Sequence, residues 1–144
     1  MALPVKNNTD AHGQWYGEGP HYILAETLLG AGAAALTVPA VSSATTPPCA
    51  IEVVSVSRTS TGIYVVTLAD CYYAVAYCAA EVDDGASGNV DARISNWTNL
   101  QTSTPATFTI RTYVPGGTTP VDVAAAVAIR IFVVFKKDPT GAAA

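Results

Sequence analysis

Ala124-Ala125-Ala126-Val127-Ala128-Ile129-Arg130-Ile131-Phe132-Val133-Val134-Phe135-Lys136 is the stretch on which the fold turns. Read at a period of two, Ile129, Ile131, Val133 and Phe135 share one face, yet Phe132 and Val134 make the other face apolar as well, flanked only by Arg130 and Lys136. The pattern predicts a strand that must be covered on both sides. One sheet of a sandwich covers a single face. The second cover therefore has to come from an N-terminal arm, a loop or a neighbouring subunit. A helix over residues 121–128, which are rich in alanine, is the competing local reading; the spacing of Val121, Val123, Val127, Ile129, Ile131 and Val133 suits a strand better.

Working outward, five further runs of β-branched and aromatic residues precede this one, at 50–58, 62–68, 72–80, 89–97 and 106–114. Turn signals separate them, among them Thr59-Ser60-Thr61-Gly62, Asp83-Asp84-Gly85 and Pro115-Gly116-Gly117. Residues 21–29 offer a seventh strand and 33–38 an eighth. Short strands at this spacing, with no helical period between them, predict an all-β fold: an antiparallel β-sandwich or jelly roll. Alternation assigns Tyr64, Val66 and Leu68 to the core, together with Phe108, Ile110, Thr112 and Val114.

Up to about residue 48 the composition differs, mixing Gly, Pro, Ala and Thr with scattered aromatics. The expected organisation is an extended N-terminal arm over 1–48, a sandwich domain over 49–138 and a short tail over 139–144. Across all 144 residues only 12% are charged, where an average globular chain has roughly 25%, while half are hydrophobic. Such a chain must coat itself with Ser, Thr and Asn or hide apolar surface against other copies. The net charge of −4, with no basic cluster beyond Lys136-Lys137, argues against nucleic acid as a partner. Glycines, prolines and Arg130 interrupt the most apolar windows, so no membrane span is expected.

Met1-Ala2-Leu3-Pro4 has neither the charged nor the apolar region of a secretory signal, which leads to the expectation of synthesis in a reducing cytoplasm. Cys49, Cys71 and Cys78, odd in number and without metal-ligand spacing, then read as packed thiols.

Chemistry is thinly provided. The two histidines, His12 and His21, have Glu18 and Glu26 as their nearest acids, in a spacing that matches no ligand pattern. Asp83, Asp84 and Asp91 surround Gly85 and Gly88 but lack the alternating carboxylates of a calcium loop, so a solvated turn is the better reading. No nucleophile elbow or phosphate loop occurs. The chain is therefore not expected to be an enzyme or to bind a cofactor. Aromatics combine contact area with a polar tip, and Tyr72, Tyr73 and Tyr77 sit in a run with small alanines. Together with Phe132 and Val134 they are the candidates for a subunit interface, the alternative being an ordinary core with hydroxyls at its rim.

The segment 54–68, with Arg58, Gly62, Tyr64, Val66 and Leu68 in the order V-x-R-x-x-x-G-x-Y-x-V-x-F/L, resembles a hairpin of the small C1q/TNF-like jelly rolls of bacteriophage virion and fibre proteins. Leu68 stands where Phe is more usual. Phe108 to Tyr113, Thr118 to Asp122 and the closing 129–135 run are similar to the last part of the same domains. That resemblance implies a homotrimer displayed on a virion, with no catalytic residues. Because an irregular arm, not a shaft, precedes the domain, the chain looks most like a capsid cement, or decoration, protein that binds the major capsid protein on the head surface. In that reading Trp15, Tyr16, Tyr22, Ile23 and Leu24 anchor the arm on the shell. The alternative is a fibre or head-spike module that binds a host receptor or glycan, with Trp97, Tyr72 or Tyr113 as sugar-stacking faces.

Overall fold

Residues 53–68 double back at Thr61 and Gly62, where Gly62 adopts a left-handed φ of 61°. A side chain there would meet the Val121 carbonyl oxygen at 2.6 Å, so both backbone angle and space require glycine. This hairpin forms one edge of one of two sheets. The computed structural model describes residues 15–16, 21–38, 53–83 and 90–136, and among these it contains strands and turns but no helix.

Eight strands follow one another: β1 (Trp15–Tyr16), β2 (His21–Leu29), β3 (Val53–Ser60), β4 (Ile63–Leu68), β5 (Ala74–Asp83), β6 (Asp91–Thr98), β7 (Thr107–Tyr113) and β8 (Ala128–Lys136). Sheet I has the order β1-β2-β8-β5 and sheet II the order β3-β4-β7-β6. All pairings are antiparallel and the two sheets pack face to face as a sandwich. Leu24, Leu28, Ile129, Ile131, Val133 and Phe135 of sheet I meet Tyr64, Val66, Leu68, Phe108 and Ile110 of sheet II in the dry interior.

The alternation in 63–68, 107–112 and 129–135 places the core as the sequence predicts, with Thr112 buried beside Ile110. Val114 departs from that reading. Strand β7 ends at Tyr113, and Val114 is half exposed in the turn that follows. The 121–127 segment is neither helix nor strand. Its backbone is committed elsewhere: Val121 N–H donates to the Thr112 carbonyl at 2.9 Å, and Gly30 N–H donates to the Val127 carbonyl at 2.8 Å. Val123 caps the core from this loop. Residues 33–38 contribute only a single bridge, Leu29 to Thr37.

The arm has a different boundary from the one composition suggests. Residues 21–29 are a full strand, paired with β8 over its whole length, and Leu24 and Leu28 lie fully buried. A central strand apolar on both faces needs two neighbours and a layer beneath it; β2 supplies one neighbour and part of the buried layer.

Two bulges reassign aromatic side chains. Between Val75 and Tyr77 the register slips by one residue, so Val75 pairs with inward-facing Phe135 while Tyr77 pairs with outward-facing Val134. Between Ser95 and Thr98 a second slip, with Asn96 at a φ of 52°, turns Trp97 inward. Its ring lies 4.6 Å from that of Phe108 and 5.7 Å from that of Phe135.

Candidate interaction surface

The outward face of sheet I is built in rows across three strands. Ile23, Val134 and Tyr77 form the first row; Ala25, Phe132 and Ala79 form the second. Both rows are apolar. The third, Thr27, Arg130 and Glu81, is polar, and beyond it Arg130 reaches Asp83 in an ion pair at the exposed end of the sheet. Phe132 is 41% exposed and Tyr77 57% exposed, their rings in edge contact at 6.3 Å. An uncharged patch holding two exposed aromatics on a sheet face is a surface that water solvates poorly.

Of the five residues put forward for an interface, three meet on this face: Tyr77, Phe132 and Val134. Tyr72 does not. It precedes β5, is buried, and stacks on Phe135 with ring centroids 3.8 Å apart. Tyr73 also precedes the strand and is half-buried. The bulge separates Tyr77 from Val75, with which simple alternation groups it, because one inserted residue reverses the parity of all that follows.

The arm candidates divide as well. Leu24 belongs to the core and Ile23 to the outward apolar face. Trp15 and Tyr16 form the short edge strand β1, opposite Ile23 and Tyr22. The sugar-stacking candidates do not form a common platform: Tyr72 and Trp97 face the interior, and Tyr113 lies under the guanidinium of Arg93 at 5.6 Å.

The strongest polar cluster was hidden in the sequence motif. Arg58, Gly62 and Tyr64 converge on the carboxylate of Asp122. Arg58 Nε and Nη2 donate at 2.9 and 2.8 Å, the Gly62 N–H at 2.8 Å and the Tyr64 hydroxyl at 3.1 Å. The bidentate guanidinium, aided by the Gly62 and Tyr64 donors, holds the Asp122 carboxyl well below the usual range, at about 2. Burial pushes the Tyr64 phenol up. The Tyr64 oxygen in turn accepts from Val123 N–H at 3.3 Å. Every member of this network has a partner within it, so it clasps the 120–123 loop onto the β3–β4 hairpin.

His12, Glu18, Cys49 and Asp84 lie outside the described residues. His21 stands opposite Lys136 in the ladder, while Glu26 is buried on the inward face of β2, between Leu24 and Leu28. Asp83 is engaged by Arg130, and Asp91 is exposed at the start of β6. Cys71 and Cys78 are free thiols, Cys78 half-buried against the core. Among the described residues no group of three His, Cys, Asp or Glu side chains is placed to hold a metal ion. No protein-family model, curated protein or solved structure matches this chain.

Proposed function

We propose that this chain is a structural virion protein, a bacteriophage capsid cement protein that assembles as a homotrimer and binds the major capsid protein on the head surface. The observation that carries the reading is the outward face of sheet I, where Ile23, Ala25, Tyr77, Ala79, Phe132 and Val134 form two apolar rows bordered by the Arg130, Glu81 and Asp83 charges. An apolar centre with a charged rim is the anatomy of a subunit interface. Burying one such aromatic contributes about 1.5–3 kcal/mol. The motif resemblance supplies the virion setting. Two features favour a jelly roll within the sandwich class: the chain passes between the sheets at β2–β3, β4–β5, β5–β6 and β7–β8, and Asp122 gathers the motif residues Arg58, Gly62 and Tyr64. In this reading Trp15 and Tyr16 of β1 remain the arm's anchors on the shell, while Tyr22, opposite Phe135 in the ladder, and Leu24 belong to the fold.

Light scattering of the purified full chain tests the assembly: three times the chain mass is expected. A monomer at micromolar concentration overturns the trimer. Mixing the protein with expanded phage heads tests the cement role separately, since saturable decoration is expected and its absence removes that role even from a proven trimer.

A further inference from the structure

Two arginines oppose each other on the outside of sheet II. Arg93 of β6 and Arg111 of β7 are directly paired, next to Ile63 of β4 in the same row. Directly opposed side chains have their Cβ atoms roughly 5 Å apart, and like charges so placed repel unless an anion lies between them. The chain's other two arginines each have a carboxylate, Arg58 with Asp122 and Arg130 with Asp83. Among the described residues Arg93 has the Tyr113 ring beneath it and no carboxylate partner, and the half-buried Arg111 has its Nε out of water with no hydrogen-bond partner.

The neighbouring row repeats the deficit. Ser95, paired with the buried Thr109, has a buried hydroxyl oxygen that likewise lacks a partner. Asp91 stands on the same face of β6, two residues from Arg93 and opposite Tyr113, yet it forms no ion pair with either arginine. Arg93, Arg111 and Ser95 thus make a block of donors without an acceptor, and a buried donor left unmade costs about 1–3 kcal/mol.

We propose that Arg93, Arg111 and Ser95 form an oxyanion site that receives an acidic side chain of a partner protein. Guanidinium forks match a carboxylate in two parallel hydrogen bonds. The surrounding rows, Ser57, Val65, Thr109 and Ser95, then Ser55, Thr67, Thr107 and Thr98, are mostly hydroxyl-bearing and carry no further positive charge. One anion therefore fits here, whereas a phosphate polymer, which needs several spaced cations, does not. The site lies on the sheet opposite the apolar rows and stands whether or not those rows assemble the chain.

The test follows the Arg Nε–H resonances of the full-length protein by NMR during titration with tetraglutamate, tetraglutamine and inorganic phosphate at constant ionic strength. Saturable movement of the Arg93 and Arg111 signals is expected with tetraglutamate at lower concentration than with tetraglutamine or phosphate, with Arg58 and Arg130 unmoved as internal controls; equal or tighter saturation by either comparison probe counts against the assignment. R111Q is expected to weaken that response about tenfold or more while melting at or above the wild-type temperature, since the side chain is outside the core and its loss removes an unpaired buried donor. R93Q, at the more exposed position, checks the same loss should R111Q fold poorly. Equal drift of all four arginines, or no saturable movement, overturns the site. Saturation by phosphate without a response to tetraglutamate overturns the carboxylate assignment.

Discussion

The two outward faces of the sandwich solve the same problem in opposite ways. A chain with few charges has to cover a pleated surface; sheet II does so with Ser55, Ser57, Thr67 and Thr107, whereas sheet I leaves Phe132, Val134, Tyr77 and Ile23 outside. Hydroxyls satisfy water without the cost of burying a charge, and threonine also suits a strand. The apolar face gains nothing from water. The sheets differ in assembly too: sheet II grows from hairpins close in sequence, while β2 and β8 of sheet I join segments separated by most of the chain. Sheet I is thus the part that depends on distant or external partners.

The largest effect should come from removing residues 1–30. The deletion strips β8 of its entire β2 ladder, takes out fully buried Leu24 and Leu28, and uncovers the interior face of sheet II. Each leucine contributes about 1.5–3 kcal/mol, and a domain has only about 5–15 kcal/mol in total, so cooperative unfolding should vanish. Calorimetry of the truncated chain checks this. A retained cooperative melt would mean that sheet I stands without its distant strand, and the contrast in assembly would go with it.

Next in size is Asp122→Ala. Four hydrogen bonds to one carboxylate, two from Arg58, are lost at once; a single bond to a charged group contributes about 1.5–3 kcal/mol, and bonds that share one carboxylate do not add. A loss of about 2–3 kcal/mol is expected in denaturant melts, concentrated in the loop clasped to sheet II. Because the carboxyl is held at about 2 in the folded protein, below its unfolded range, its stabilisation is complete above pH 4 and is lost as pH falls towards 2. Asp122→Asn should flatten that acid limb of the stability profile. An identical limb in both proteins would show that the carboxylate is not what the clasp depends on.

These two regions also differ in how much the residues reveal in advance. Wherever alternation runs unbroken, as in 63–68 and 129–135, the buried faces follow from a period of two. It fails at single inserted residues. The bulge after Val75 sends Tyr77 outward, and the one after Ser95 sends Trp97 inward, although each reads the other way along a regular strand. Asn96, a residue tolerant of positive φ, is the only local hint of the second. The Arg58, Gly62 and Tyr64 spacing marks a hairpin, but that Asp122 completes it is a contact across 64 residues that no local pattern encodes. Strand β2 was legible as a run over 21–29, but Gly and Pro surround it, so composition assigns it to an arm when it is in fact paired with β8 inside sheet I.

Matched substitutions on the two outward faces sharpen the comparison directly. Phe132→Asp places a charge at the centre of the apolar rows but outside the core, so the fold should survive with its melting temperature within a few degrees of wild type. Association should weaken at least about tenfold, since a desolvated carboxylate opposes burial. Ser57→Asp, exposed on sheet II, should leave association unchanged. Sedimentation of the pair decides the matter: equal behaviour would mean that the apolar face is not where copies meet.

The smallest change should follow Val114→Ser. Val114 is 50% exposed, comparable to Tyr77, but it sits alone in the turn after β7 with solvent-exposed neighbours from Pro115 to Thr119. An isolated apolar residue of this kind is ordinary on a protein surface and loses little when replaced, within about 0.5 kcal/mol in stability. Association should be unaffected. If Val114→Ser weakened assembly as much as Phe132→Asp, exposure alone would be the operative property. If it does not, the contiguity of the Ile23, Val134, Tyr77 and Ala25, Phe132, Ala79 rows is what distinguishes an interface from a scattered hydrophobe, because only adjoining apolar groups can be dried together by one partner.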